Sequence, residues 1–170
     1  MELELNHLPT RSRPRPATNK NMPHSQIGVK PVPEVNAELF LRAYSLPNVS
    51  NRPTMISVRG ARALWLRDDL PLAHPEVIAR GREFAHIHPD GSLHVALPPE
   101  RANEAVEKGW AEPHPLAKYL DIEGMVMLYT PQDEDELDVV FGLILDSYNF
   151  VTGLNLRPEN VFSDVATGEK

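Results

Sequence analysis

The sequence predicts an α+β fold, in which a mostly antiparallel sheet with a β-hairpin is covered by a short helix and a long C-terminal helix. Polar and apolar side chains alternate over residues 84–97 on both sides of a Pro-Asp-Gly turn, which is typical of a hairpin. Apolar side chains recur at helical spacing from Leu137 to Val151. The 170 residues have the length of one domain and suffice to bury a core.

Composition excludes several classes of protein. A hydrophobic content of 41% and a charged content of 24% are ordinary for globular proteins and argue against wholesale disorder. The absence of cysteine rules out disulfides, thiolate metal sites and a cysteine nucleophile. A net charge of -7 argues against a nucleic-acid partner. Because no apolar stretch is long enough for a membrane span or a signal peptide, we expect a cytoplasmic protein without a membrane partner.

The chain divides by composition into three parts. Residues 1–35 form a basic, proline-rich arm with six prolines and five lysines or arginines. Proline fixes φ and removes a donor, so we expect this arm to enter neither a helix nor a sheet. Either it binds a partner as a polyproline or anion-binding segment, or it is disordered or lies on the acidic body. Residues 36–155 are predicted to be a single α+β domain, and residues 156–170 a C-terminal tail.

Between residues 55 and 129, the elements predicted outside the hairpin are two strands, one short helix and two loops. Residues 55–66 form a strand that places four apolar side chains on one face and contains Gly60 as a bulge. These side chains are Ile56, Val58, Leu64 and Leu66. Residues 68–76 form a loop. A short helix opens at Pro98-Pro99-Glu100 and ends at Gly109, an extended loop covers 110–120, and residues 125–129 form a buried strand.

The hairpin is predicted in register. A three-residue loop, Pro89-Asp90-Gly91, pairs His86 with His94 and His88 with Ser92. One face then carries Phe84, His86, His88, Ser92, His94 and Ala96, and we call it the histidine face. The opposite face carries Ala85, Ile87, Leu93, Val95 and Leu97 and is predicted to form the core.

The last element is a helix with apolar residues on two sides. Thr130 is its predicted N-cap, Pro131 its first residue and Gly153 its end. The main stripe comprises Leu137, Val140, Phe141, Ile144, Leu145, Tyr148 and Val151. A second strip, formed by Val139, Leu143 and Phe150, requires a further cover, for which the alternatives are the N-terminal arm and a homodimer contact.

The segments that carry these elements resemble a known family. They are ISVRGARALWL (56–66), GREFAHIHPDGSLHVALP (81–98), GWAEPHPLA (109–117), MVMLYTP (125–131) and FVTG (150–153). In this order they are similar to the luciferase-domain family, over about 100 of the 170 residues. The resemblance implies that residues 36–155 are a luciferase-domain-like α+β domain. A luciferase oxidises an organic substrate with molecular oxygen, but the resemblance implies no particular catalytic residues.

The candidate functional site is the histidine face. His86 and His88, two residues apart on one strand, point the same way, and His94 is a cross-strand neighbour. His114, held between two prolines, completes the candidate set if its loop folds over the sheet. These four histidines are candidate ligands of a divalent metal such as zinc, iron, copper or nickel, or candidate catalytic residues without a metal, one acting as general base. Alternatively, they are half-buried structural residues.

Two function classes follow from this site. In the first, the protein is an enzyme or ligand binder that acts on a small organic molecule at the histidine face, by oxidation if the family resemblance extends to the reaction. In the second, it is a non-catalytic binding or interaction domain, in which the histidines hold structure and the two-sided helix contacts a partner. Uptake of a metal or ligand by the purified protein separates the two classes.

Overall fold

The predicted α+β class is confirmed by a computed structural model, which describes residues 7–161. Its strands are β1 (Ala17–Asn19), β2 (Ser25–Ile27), β3 (Val49–Pro53), β4 (Arg62–Leu66), β5 (Glu83–Ile87), β6 (Leu93–Ala96), β7 (Ala111–Pro113) and β8 (Met125–Leu128). Its α-helices are α1 (Pro33–Ala43), α2 (Pro99–Glu107) and α3 (Glu134–Thr152), and a 3₁₀ turn spans Pro75–Val77. Within residues 7–161, no helix is both long and apolar enough to cross a membrane.

Six strands form one antiparallel sheet in the order β3-β4-β5-β6-β8-β7, and β1 and β2 form a separate two-stranded sheet. The central strands β5, β6 and β8 are buried along their whole length. Helix α3 contacts β5 and β6 on one face of the sheet, and α1 packs against α3. The main core therefore lies between the sheet and α3.

The β5–β6 hairpin has the predicted register. His86 pairs with His94, Ile87 pairs with Leu93, and the His88 N–H donates to the Ser92 carbonyl at 2.8 Å. The turn glycine, Gly91, has φ +83°, and a Cβ at this position would overlap Thr130 Oγ1. The turn therefore requires glycine for two reasons, backbone conformation and space.

A β-bulge changes the predicted face of one residue. Leu64 pairs with Ala85, but the next residue, Trp65, pairs with Glu83, so Phe84 is the extra residue. The Phe84 ring lies 6.0 Å from the ring of Tyr148 in α3. The prediction that Phe84 lies on the histidine face is therefore wrong, because the bulge turns its side chain toward the helix.

Three other predicted elements require correction. Only residues 62–66 of the predicted strand 55–66 are a strand, because Thr54 Oγ1 accepts hydrogen bonds from two following amides and closes a turn. Strand β3 precedes that turn and was not predicted. Residues 111–113, predicted as extended loop, form the edge strand β7, where Pro113 is tolerated. The buried strand β8 and the helix α2 lie where they were predicted.

Helix α3 has the predicted end and a different start. Gly153 ends it in the left-handed conformation at φ +79°. Its N-cap is Asp133, whose carboxylate accepts from the Glu136 N–H at 2.8 Å, and not Thr130. An Asp side chain at this position satisfies an otherwise unpaired amide of the first turn, which moves the helix start three residues along the chain.

The second apolar strip of α3 is covered within the chain. Leu143 is fully buried, and Val139 and Phe150 are half-buried. Helix α1 packs on α3, with Arg42 bonded to Asp138 at 2.7 Å. A homodimer contact through α3 stays a prediction.

The N-terminal arm lies on the body of the protein. Arg11 and Arg13 form ion pairs with Glu136, and Arg13 also pairs with Asp133, so the basic arm contacts the acidic start of α3. The expectation that the arm enters no sheet or helix is wrong, because residues 17–27 contain the β1–β2 hairpin and α1 begins at Pro33. Proline limits such elements but does not exclude short strands of three residues or the first turn of a helix.

Candidate functional site

Five buried histidines meet on the histidine face of the sheet. His86 lies on β5, His88 directly after it, His94 on β6, His114 directly after β7, and His24 directly before β2. Their exposed fractions are 2–7%. We call these five residues the histidine cluster.

His94 is at the centre of the cluster. Its ring centre lies 4.9 Å from that of His86 and 4.5 Å from that of His88. The rings of His114 and His24 lie 4.3 and 5.1 Å away. The hairpin register and the alternation of side chains along β5 and β6 bring the first three rings together, as predicted.

Carboxylates bind the outer nitrogens of two of these histidines. Glu83, turned to this face by the β-bulge, lies with Oε2 3.0 Å from His86 Nδ1. Glu112 on β7 accepts from His24 Nε2 at 2.8 Å. Hydrogen bonds from His86 and from His24 help to lower the pKa of Glu83 and of Glu112, against the opposing effect of burial. Both carboxylates are therefore ionised at neutral pH and act as acceptors.

Glu112 also holds the N-terminal hairpin in place. Its Oε2 accepts from Thr18 Oγ1 at 2.9 Å and from Lys20 Nζ at 3.3 Å. Its Oε1 accepts from the Tyr129 hydroxyl at 3.1 Å. One buried carboxylate thus joins β7, β8 and the β1–β2 hairpin that carries His24.

Two further histidines of the cluster, His88 and His114, are oriented by neutral partners. Ser92 Oγ donates to Asp90 at 2.5 Å, so it accepts the proton of His88 Nδ1, 2.8 Å away. His114 Nδ1 accepts from the Leu116 N–H at 2.9 Å, so in the neutral ring the proton is on Nε2.

Burial keeps much of the cluster neutral. Desolvation, followed by the effect of neighbouring histidines, lowers the pKa of His88 to about 4 and that of His114 to about 4. The same causes lower the pKa of His94. At neutral pH these three rings are uncharged, which is the form that binds metals and accepts protons.

An open cleft of about 580 Å³ borders the cluster. Four of the five histidines line it: His24, His86, His94 and His114. The other lining side chains are mainly apolar and include Met22, Ile56, Val58, Leu116, Leu120 and Met125. This volume lies within the range of pockets that hold small organic molecules.

The structure brings the four predicted histidines together and adds residues that the sequence did not indicate. His24 is the fifth histidine, contributed by the arm that was expected to be irregular. Glu83 and Glu112 supply the carboxylates that no recognised spacing had identified. Neither addition has a local signal, because the first depends on the docking of a hairpin about 70 residues away and the second on a bulge and an edge strand.

Comparison with known proteins identifies relatives of part of the chain. Residues 81–146 match the model of the luciferase domain. The chain is 32% identical to a luciferase of Armillaria gallica, over 87% of this chain and 62% of the relative. It is also 32% identical to a luciferase of Neonothopanus nambi, over 54% of this chain and 39% of the relative. The chain thus spans less than two thirds of the length of these relatives, and no solved structure matches it significantly.

Proposed function

Because the chain belongs to the luciferase-domain family, we propose that it is an enzyme that oxidises a small organic molecule with molecular oxygen in the cleft beside the histidine cluster. The substrate gives up the electrons that dioxygen takes up. The family relationship supports the reaction class, and the cleft supports the size and character of the substrate.

The observation that carries this proposal is the composition of the cleft wall. Apolar side chains make up most of the wall, and four rings of the histidine cluster supply its main polar groups. An apolar wall binds a largely apolar molecule, and a few convergent polar groups orient it. Exposed Arg80 at the same cleft adds a positive charge that suits an anionic substituent or product.

His114 has a defined role in this proposal. Since its Nδ1 accepts from the Leu116 amide, its Nε2 carries a proton that it donates. His114 lines the cleft, so this donor suits a substrate oxygen on which negative charge develops during oxidation. His24, which also lines the cleft, is held by Glu112, and its ring lies 5.5 Å from that of His114.

The test is a turnover assay with a panel of phenols and 1,3-dicarbonyl compounds. Turnover is measured as oxygen consumption, as the mass of the product and as light emission. The variant Leu120→Trp fills the cleft at a partly exposed position, and we expect it to lower turnover at least tenfold with unchanged thermal stability. Leu154→Trp is the matched control, because Leu154 has similar exposure and lies outside the cleft.

Binding of panel compounds without any turnover, abolished by Leu120→Trp, would contradict the enzyme and support the alternative, a non-catalytic ligand-binding domain. Equal turnover in the two tryptophan variants would exclude this cleft as the place of reaction.

A further inference from the structure

We infer that His86 Nε2, His88 Nε2 and His94 Nδ1 form a binding site for a divalent first-row transition metal. As a cofactor site it rests on the proposed function, but metal binding itself is measurable without a substrate. One ring nitrogen from each of these three histidines lies within 4.8 Å of those from the other two, and all three side chains are buried.

The first argument is the position of the protons. His86 Nδ1 faces the ionised Glu83 carboxylate and therefore carries the proton of its ring, which leaves a lone pair on Nε2. His88 Nδ1 donates to Ser92 Oγ, which leaves a lone pair on its Nε2.

The position of the proton on the His94 ring follows from the hydrogen bonds of its neighbour, His24. His24 Nε2 donates to Glu112, so its Nδ1 accepts, and the donor 3.0 Å away is His94 Nε2. A lone pair then remains on His94 Nδ1, which lies 2.9 Å from His86 Nε2. With all rings neutral, three lone pairs converge and no proton lies between them.

The second argument is an unpartnered atom. Among the described residues, His88 Nε2 is buried and has no hydrogen-bond partner, although the ring is only 3% exposed. An unpaired buried polar atom costs about 1–3 kcal/mol, so its retention calls for a ligand. A proton shared between His86 and His94 leaves His88 Nε2 unpaired, whereas a metal ion binds all three nitrogens.

The surroundings have the form of a metal site. Each ligand ring bonds through its other nitrogen, to Glu83, to Ser92 and to His24, and such partners fix the orientation of metal-bound histidines. Tetrahedral zinc with Zn–N bonds of about 2.0–2.1 Å separates its nitrogens by about 3.3 Å. The His86–His94 separation of 2.9 Å requires only a small opening to reach that value.

Three neutral imidazoles select zinc, iron, copper or nickel over magnesium and calcium, which prefer oxygen ligands. A metal with an open position supplies a Lewis acid next to the cleft, which His86 and His94 also line. We expect His114, predicted as a fourth ligand, not to bind the metal, because its Nδ1 accepts from an amide and the proton of its neutral ring is then on Nε2.

A second group of nitrogens, from His24, His94 and His114, also lies within 4.8 Å. The same proton positions disfavour it, since His24 Nδ1 accepts from His94 Nε2 and His114 Nε2 is a donor. The two groups differ in His88 and His114, so variants of these two residues distinguish them.

The experiment is a titration of the metal-stripped, untagged full chain with Co²⁺, read from visible absorption, and with Zn²⁺ in competition. His88→Asn should weaken metal binding by more than about 100-fold, because losing a metal ligand lowers affinity more than losing a residue that hydrogen-bonds to a ligand. His114→Asn and His74→Asn, the latter at a half-exposed position outside the cluster, should bind the metal as the unchanged protein does. Glu83→Gln, which leaves all three ligands in place, should weaken binding by roughly 10–100-fold.

Thermal unfolding of each variant shows whether it is folded, and Glu83→Gln tests the site if His88→Asn does not fold. Absence of a Co²⁺ spectrum in the unchanged protein overturns the inference. Loss of binding in His114→Asn with retention in His88→Asn also overturns it, in favour of the second group. A metal-binding protein without turnover leaves this inference intact and contradicts only the proposed function.

Discussion

The two faces of the β5–β6 hairpin are closed in different ways. On the core face, Ile87, Leu93 and Val95 are buried beneath α3 in the main hydrophobic core. On the histidine face, the β1–β2 hairpin and β7 close the surface through hydrogen bonds between histidines and carboxylates. The same alternation of side chains along β5 and β6 thus supports an apolar contact on one face and a polar network on the other.

The difference shows what each kind of contact requires. Apolar burial is non-directional and follows from the alternation of side chains, so any helix with a suitable stripe covers the core face. The histidine face is stable only if each buried polar atom finds a partner of the right kind. Its cover must therefore be a particular segment, and that segment is the one that carries His24.

Acid should distinguish the faces most strongly. The pKa values of His88 and His114 are lowered to about 4, below the ordinary histidine value of 6.5, so the unfolded chain binds more protons between these values. The free energy of unfolding should be constant above pH 7 and fall by several kcal/mol as the pH drops from 6.5 to 4. Urea unfolding at half-unit pH intervals measures the slope.

The range from pH 6.5 to 5 isolates the histidines, because the ordinary carboxylate pKa values lie below it. The double variant His88→Asn, His114→Asn should reduce the slope in this range to the part that the lowered pKa of His94 contributes, and His74→Asn, at a half-exposed position outside the cluster, should leave it unchanged. A free energy of unfolding that is unchanged between pH 7 and pH 5 would show that the buried histidines take up protons in the folded protein as readily as in the unfolded chain.

A smaller loss is expected from truncation on the core face. Ile87 is fully buried in the main core, and Ile87→Ala should lower the free energy of unfolding by about 3 kcal/mol at every pH. Urea unfolding checks the loss, and the Co²⁺ titration should be unaffected because the side chain lies on the opposite face. A cost below about 1 kcal/mol would mean that this face is less closely packed than the structure shows.

The sequence predicts much of the fold because the decisive signals are local. The Pro89-Asp90-Gly91 turn determines the hairpin register, and Gly153 determines the end of α3. Helix α1 and strand β3 were missed because they lie between proline-containing segments and carry weak periodicity. The bulge at Phe84 was missed because it depends on how β4 pairs with β5. The alternation of side chains within one strand carries no information about that pairing.

The candidate site divides in the same way. Turn chemistry and alternation place His86, His88 and His94 together, and the strand-like extension of the chain toward His114 brings in the fourth ring. His24 could not be predicted, because its position depends on bonds to Glu112 and His94 that form only after the arm has docked. Long-range polar contacts of this kind produce no recognisable spacing pattern in the sequence.

The smallest effect is expected where the arm is joined to the histidine face. Glu112 is 6% exposed and accepts hydrogen bonds from His24, Thr18, Lys20 and Tyr129. In Glu112→Gln the size is kept, but the amide NH₂ replaces one acceptor with a donor, so at least one buried donor loses its partner. We expect a loss of about 2 kcal/mol, measured by urea unfolding, and faster proteolysis within residues 17–27 as the β1–β2 hairpin detaches. Glu107→Gln, an exposed residue of α2, is the control for removing one negative charge. If both variants unfold and are cleaved alike, the Glu112 carboxylate does not hold the arm, and the contrast between a polar and an apolar closure of the sheet fails at this point.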